Sequence, residues 1–263
     1  MVTASIVILT IGTPTRVLEC LKKQTFQDFE VIIASEKGIV CAMNLALARC
    51  CGEIMVRVDD DVDLPPQWLY ELLKPFSDRA IAGVTGPTFV PKELRGNRDS
   101  IRMWENPNWF LKWMIDGEVD RPSGIYNCGS VSYASNYQER IYQDWMFHAD
   151  HLEGTNWAMR TELIRLVGGF DSKFDGVAEW FDTDVEQKIV KMGYRLTYNP
   201  QAYLWHLLEK GENYNDRFDG WGRIKNWLRY HHRHSKFHPK MVVFLICWIL
   251  YFAQAGVKKC FAL

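Results

Sequence analysis

Paired cysteines, repeated segments and an apolar stretch of full membrane-spanning length are all missing from this 263-residue sequence. The seven cysteines (Cys20, Cys41, Cys50, Cys51, Cys128, Cys247 and Cys260) are odd in number and none stands in a CxxC pair. That spacing indicates neither a zinc site nor a disulfide framework. Most lie among apolar neighbours, where a free thiol behaves as a small hydrophobe, and a reducing, cytoplasmic setting is expected. The apolar segment at 5–11 is too short for a secretory signal and reads as a strand. Near the other end, Met241–Val257 offers 17 residues without a charge, flanked by Lys240 and by Lys258-Lys259. A spanning helix needs about 20 apolar residues, so monotopic or re-entrant attachment is expected in preference to a full span. Cations on both flanks assign no orientation.

What is present is ample core material. Hydrophobic residues make up 48% of the chain and aromatics 14%, which excludes global disorder. The length suits one large domain, or one with an appendage. The net charge of −1 conceals an asymmetry: residues 210–263 hold ten Lys/Arg against three Asp/Glu, leaving the rest of the chain at −8. An acidic body argues against nucleic acid as a partner, and a basic tail argues for attraction to a surface. The expected organisation is therefore a body at 1–209, with halves at about 1–100 and 101–209, and a tail at 210–263.

Ser5–Thr10 reads as a buried strand, Gly12-Thr13-Pro14 breaks it, and Pro14–Lys23 has helical spacing at Val17, Leu18 and Leu21. Phe29–Ala34, Ile54–Val58 and Ala80–Gly86 read as further strands, with helices at Ala42–Cys51 and Pro66–Phe76. This alternation implies βαβ units, hence an α/β fold on a mostly parallel, doubly wound sheet. Residues 88–150 lack clear period; Trp104, Trp109 and Trp113 there would either line an acceptor groove or join the core. Order returns at Gly154–Arg165 and in a helix at Thr183–Met192. In the tail, Trp221, Ile224, Trp227, Leu228 and His231 share one helical face among Arg223, Lys225, Arg229 and Arg233. That pattern suits a helix lying in a membrane interface. It accounts for His231-His232-Arg233-His234 and His238 better than a metal site does, since no Cys or acid completes the set.

Chemistry concentrates in two acidic clusters. Val56-Arg57-Val58 runs into Asp59-Asp60-Asp61-Val62-Asp63, then Leu64-Pro65-Pro66. Four acids at a strand end repel one another unless a cation neutralises them, and hard oxygen ligands suit Mg²⁺ or Mn²⁺. The carboxyl end of a strand is also where open α/β sheets bind ligands. The second cluster is Glu179-Trp180-Phe181-Asp182-Thr183-Asp184. Capping the following helix accounts for one of its aspartates and leaves the other over. Asp182, between two aromatics, is expected to be desolvated, as a general base requires. His206 ends the strand-like Ala202–Trp205 and suits a metal or phosphate ligand.

These segments resemble family-2 glycosyltransferases of the GT-A nucleotide-diphospho-sugar fold. The resemblance runs over about residues 4–206: Ser5–Thr10, Gln24–Ile32, Asn44, Cys51-Gly52-Glu53, Asp59–Asp61 with Pro66, then Glu153-Gly154-Thr155-Asn156-Trp157-Ala158-Met159-Arg160. It continues through Gly168-Gly169-Phe170-Asp171, Asp182-Thr183-Asp184, Gly193-Tyr194 and Asn199-Pro200 to His206. The tail is similar to that of rhamnosyltransferase-like members. The resemblance implies a nucleotide-sugar donor held through Mn²⁺ or Mg²⁺ by the pair Asp59 and Asp61, with Asp61 the direct ligand and His206 completing the shell. It places Thr10, Ser35 and Glu36 at the nucleoside, and Asn44 and Asp60 on the donor side. Asp182 becomes the base of an inverting transfer, and Gly154, Thr155, Asn156 and Asp184 fall on the acceptor side. The acceptor implied is a glycan or lipid-linked hydroxyl at the cytoplasmic face of a membrane.

Two departures stand out. Ser35-Glu36-Lys37-Gly38 replaces the family's usual Asp-Asp-Gly-Ser, and Phe181-Asp182 its usual Glu-Asp. Met43 stands where an Arg is common, a charge that Lys37 or Arg57 would replace. A sugar-nucleotide-forming nucleotidyltransferase would share the sheet and the metal but wants a Gly-rich basic loop after the first strand, of which Ile11–Arg16 is a poor version. A degenerate, membrane-bound scaffold is the non-enzymatic alternative, supported by the Ser35-Glu36 segment alone.

Overall fold

The structure, a computed structural model, describes residues 2–95, 107–132, 146–208 and 219–261, with side chains of the last helix described to residue 253. Trp104 lies outside the described residues. Strands β1 (Ala4–Leu9), β2 (Phe29–Ala34) and β3 (Ile54–Asp59) run parallel with β1 in the middle, joined by helices α1 (Thr15–Lys22) and α2 (Ile39–Arg49). Helix α2 starts three residues before the expected Ala42, because Gly38 takes a φ of +91° and turns the chain into it. Then come β4 (Val62–Asp63), α3 (Trp68–Leu73), β5 (Ile81–Thr85), β6 (Thr88–Phe89), α4 (Lys92–Arg95), α5 (Trp109–Met114) and β7 (Phe147–His148). Next are β8 (Asn156–Arg160), α6 (Thr161–Leu166), α7 (Phe181–Val190), β9 (Arg195–Tyr198) and β10 (Leu204–His206). Helices α8 (Gly220–His234) and α9 (Pro239–Phe261) end the chain.

The main sheet has the order β2-β1-β3-β8-β5-β9-β7. It is mixed: β5 and β9 are parallel, but β8 is antiparallel to both β3 and β5, and β7 to β9. Asn156 lies opposite Val58 at the carboxyl end of β3, so the chain enters β8 from that edge and must run back. A second sheet, β4-β10-β6, sits beside it. Strand alternation divides the core. On β3, Ile54, Val56 and Val58 join one apolar cluster with Trp68, Leu69 and Leu72 of α3. Met55 faces the other cluster, which holds Val7, Trp157, Phe170, Phe181 and Val185. Arg57, two residues beyond Met55, shares that second face and is the charged exception on a strand otherwise buried on both sides.

The tail helix α8 departs from expectation. Ile224, Trp227 and His231, read as membrane-facing, are buried against the body, while Trp221 and Leu228 remain exposed. The body offers them partners: Trp227 Nε1 donates to Gly129 O at 2.8 Å, and the Trp180 ring stacks on Tyr230. Arg233 pairs with Asp171 at 2.7 Å and with Asp184 at 3.0 Å. Helix α9 packs Val243 and Phe244 against Met114, Ile115, Tyr126 and Cys128, and Lys240 reaches Asp116 and the Trp113 ring. Trp109 and Trp113 on α5 are exposed, not core. Among the described residues no helix is long and apolar enough to cross a membrane.

His231 supplies a pH-sensitive joint in this packing. Its Nε2 donates to Gly129 O at 2.9 Å and its Nδ1 accepts from the Ser235 hydroxyl at 2.6 Å. Burial pulls its pKa down from 6.5 to about 4. The unfolded chain therefore binds this proton more tightly, so the stability is complete above about pH 6.5 and is lost as pH falls towards 4, by up to about 3 kcal/mol. Thermal melts between about pH 7.5 and 4 should show this slope. In His231→Gln it should flatten, and an unaltered slope would contradict a neutral, buried His231.

Candidate active site

The parallel register of β1, β2 and β3 brings the sequence-read donor residues to one edge. Leu9 lies opposite both Ala34 and Asp59, so Thr10, Ser35 and the aspartate run follow one another across three neighbouring strand ends. The chain places β2 and β3 on opposite sides of β1, the kind of topological switch point at which open α/β sheets bind ligands. Thr10 is buried, with its hydroxyl accepting from Gly12 N at 3.0 Å; Ser35 and Glu36 are exposed just beyond β2.

The acidic run divides by alternation. Asp59 ends β3 on the same face as Arg57, Asp60 sits half-buried at the bend, and Asp61 faces β10. His206 is carried there by the pairing of β10 with β4, in which His206 lies opposite Val62. Its Nε2 is 3.2 Å from Asp61 Oδ1. Ligand atoms of Asp59, Asp61 and His206 all lie within 4.8 Å of one another, so the three residues converge from positions far apart in the chain. Two carboxylates and an imidazole suit Mn²⁺ or Mg²⁺. The two aspartates differ in readiness: Asp59 receives the Thr155 hydroxyl on Oδ2 at 3.2 Å and Arg57 on Oδ1 at 3.4 Å, whereas Asp61 faces the imidazole.

Arg57 ties the two acidic clusters together. Its Nη1 lies 3.2 Å from Asp182 Oδ2 and its Nη2 3.4 Å from Asp59 Oδ1, all three groups being largely buried. Its guanidinium also lies over the Phe181 ring, 5.5 Å from the centroid. Asp182 is thus desolvated as expected, at 8% exposure, and placed in the first turn of α7 with Oδ1 accepting from Thr183 N at 2.9 Å. Gly154 packs against this pair; a Cβ there would stand 3.6 Å from both Arg57 Nη1 and Asp182 Oδ2, at van der Waals contact. One turn along α7, Glu186 is fully buried, and burial followed by the charge of Asp182 pushes its carboxyl well above the usual range. Held neutral, it adds no second negative charge beneath Asp182.

Three residues read as ligand-facing serve the scaffold instead, and a fourth changes sides. Asn44 clamps α2 to the Phe170 backbone, donating to its carbonyl at 2.7 Å and accepting from its N–H at 2.9 Å. Asn156 is fully buried: its amide donates to Pro87 O and Ala202 O and accepts from Trp68 Nε1 at 2.9 Å. Asp184 is fully buried beneath α8, bonded to Arg233 at 3.0 Å, His234 at 2.8 Å and Lys188 at 2.7 Å. Burial alone would push its pKa up, but hydrogen bonds from His234, Lys188 and Arg233 outweigh it and hold the carboxyl well below the usual range. Thr155 reaches the donor side, through Asp59. The bridging role of Arg57 escaped the sequence reading, although an arginine inside a strand buried on both faces signals an acidic partner.

Replacing Arg57 by Met would leave Asp59 and Asp182 buried without their shared cation. Breaking such a pair costs about 3–5 kcal/mol, so Arg57→Met should melt well below the parent. Mn²⁺ near Asp59 would recover part of that loss, giving a larger metal-induced shift in the variant than in the parent. Equal melting temperatures without metal would contradict the bridge.

Comparison with known proteins identifies the family and the fold. The description "Glycosyl transferase family 2" matches residues 12–167. No curated protein sequence matches the chain significantly. The fold is similar to that of GalNAc-T7, solved with UDP, GalNAc and Mn²⁺: TM-score 0.60, 14% identity, covering 88% of this chain and 48% of that one. It is similar also to mannosyltransferase PcManGT from Pyrobaculum calidifontis, in complex with GDP-Man and Mn²⁺: TM-score 0.58, 18% identity, covering 99% and 75%. A third similar structure is S. aureus TarS 1-349 in complex with UDP-GlcNAc: TM-score 0.54, 14% identity, covering 94% and 71%. The chain thus spans about half the length of the first of these. With the family match extending over more than half the chain and the GT-A architecture around Asp59, Asp61 and Asp182, this protein belongs to glycosyl transferase family 2.

Proposed function

We propose that this protein is a glycosyltransferase that moves a sugar from a nucleoside-diphosphate donor to a hydroxyl of a membrane-associated glycan or lipid-linked acceptor, with inversion at the anomeric carbon. The observation that carries the reading is the bridge from the Asp59/Asp61/His206 cluster to Asp182 through Arg57. It joins the group suited to hold a cation and the proposed base through one guanidinium, beside Gly154. The donor diphosphate would rest against Asp61 and His206, and the nucleoside would extend over Thr10, Ser35 and Glu36. Asp182 takes the proton of the acceptor hydroxyl as its oxygen bonds to the anomeric carbon, and the bond from that carbon to the diphosphate breaks with its electrons leaving on the diphosphate. When bound, Mn²⁺ or Mg²⁺ would offset the charge on that departing group. Arg57, 3.2 Å from its Oδ2, holds the Asp182 carboxylate in place.

The tail supports an acceptor at the cytoplasmic face of a membrane. Phe237, Val242, Ile246, Leu250 and Tyr251 leave an apolar surface exposed along and before α9. Basic side chains of α8 lie close by in sequence, and apolar surface combined with cations favours anionic lipid surfaces. The remaining exposed residues Trp221 and Leu228 extend that surface, although most of the α8 apolar face is taken up by the body.

Nucleoside diphosphate release from a panel of sugar nucleotides, with Mn²⁺ and membrane extract, tests the proposal. One sugar nucleotide should turn over in the presence of extract. Asp182→Asn should reduce that turnover by roughly 10²–10⁴-fold, the range general bases contribute, while donor binding persists. Asp61→Ala should abolish the metal dependence. Full turnover in Asp182→Asn would remove that residue from the role of base, and pyrophosphate release from a nucleoside triphosphate would overturn sugar transfer.

A further inference from the structure

We propose that Tyr230 is a positioning residue for Asp182, its ring holding Trp180 in the left-handed backbone conformation from which α7 begins. The inference rests on Asp182 being the base. Trp180 has a φ of +71° and caps α7 without a side-chain hydrogen bond. A bulky residue in that region is strained and persists where its surroundings over-determine it. Here they do: the indole stacks on Tyr230 with centroids 4.5 Å apart and planes at 30°, and meets His231 edge-on at 5.1 Å. Its carbonyl accepts from Asp184 N at 2.9 Å, committing the first turn of the helix.

Asp182 lies two residues beyond this turn, so the backbone angle at Trp180 sets where its carboxylate points. Its partner Arg57 is fixed independently, by β3 in the central sheet. The 3.2 Å contact between them is therefore the meeting point of two frames, one anchored in the sheet and the other in α8. Relaxing Trp180 to a right-handed conformation would redirect the chain into α7 and turn Asp182 away from Arg57 and Gly154. The neighbouring residue Ala178 is also left-handed, at φ +54°, so the whole approach to α7 depends on outside support. Helix α8 has other anchors that do not involve this stack: Arg233 to Asp171 and Asp184, and Asn226 Nδ2 to Phe174 O at 3.0 Å. The docking of α8 and the aiming of Asp182 are thus separable by substitution at Tyr230.

Tyr230→Leu and Tyr230→Phe in the full chain provide the test, read by steady-state kinetics, by donor binding with Mn²⁺ and by the Asp182 carboxyl ¹³C resonance, assigned with Asp182→Asn. Tyr230→Phe keeps the ring and should stay within about twofold of the parent. Tyr230→Leu should remain folded in a thermal melt, hold the donor KM within about twofold, lose roughly ten- to hundredfold in kcat as expected for a misplaced catalytic group, and move the Asp182 resonance. Unchanged kcat in folded Tyr230→Leu, or equal losses in both variants, would overturn the positioning role. If Tyr230→Leu unfolds, Trp180→Ala replaces it. That change removes the stack and keeps the cost of a left-handed backbone, and an unaltered kcat or resonance there overturns the proposal. Absence of transfer in the parent would count against the proposed function instead; the resonance then decides, an unmoved signal in Tyr230→Leu overturning the positioning role and a displaced one supporting it.

Discussion

A single guanidinium joins the two halves of this molecule. Arg57 projects from a strand buried on both faces and finds Asp59 on its own strand and Asp182 across the core, 125 residues further along the chain. A buried charge without partners costs several kcal/mol, so once β3 forms, α7 must dock with its first turn against this position. The metal-suited cluster and the proposed base are in this way joined by the same interaction. A metal at Asp61 and His206 would stand next to Asp59, whose oxygens already accept from Thr155 and Arg57, which favours Asp61 as the direct ligand.

The surrounding fold serves to hold that bridge. Antiparallel entry of β8 puts Gly154 and Thr155 at the carboxyl edge of β3, where a glycine packs against Arg57 and Asp182 and a threonine hydroxyl secures Asp59. Pairing of β10 with β4 delivers His206 to Asp61. Helix α8 closes the far side of α7 by sequestering Asp184 under Arg233 and His234. Among the described residues several buried polar atoms near the site make no hydrogen bond, Arg57 Nε and Glu186 Oε1 among them.

Much of this was legible in the sequence because it depends on local pattern. The strand at Phe29–Ala34 and the start of β3 at Ile54 follow from apolar runs between turn signals, and the acidic run marks a strand end that needs a cation. His206 was readable from its place after an apolar strand. What resisted reading depends on partners distant in sequence. Asn44, Asn156 and Asp184 carry groups that bind ligands as readily as backbone, and the fold alone shows that Phe170, Trp68 and Arg233 occupy them. The amphipathic face of α8 has the same ambiguity: Trp227 and His231 suit a lipid interface or a protein groove equally, and the Gly129 carbonyl decides for the groove. The left-handed turn at Trp180 has no sequence signature at all, since tryptophan is not a residue that favours it.

The most direct test of the account is a double-mutant cycle in unfolding free energy over Arg57→Met and Asp182→Asn, measured without metal. Residues that share a buried ion pair couple by about 0.5–3 kcal/mol, whereas independent sites add within about 0.3–0.5 kcal/mol. Coupling in the upper part of the first range would establish that Arg57 and Asp182 stabilise each other across the core. Simple additivity would contradict it.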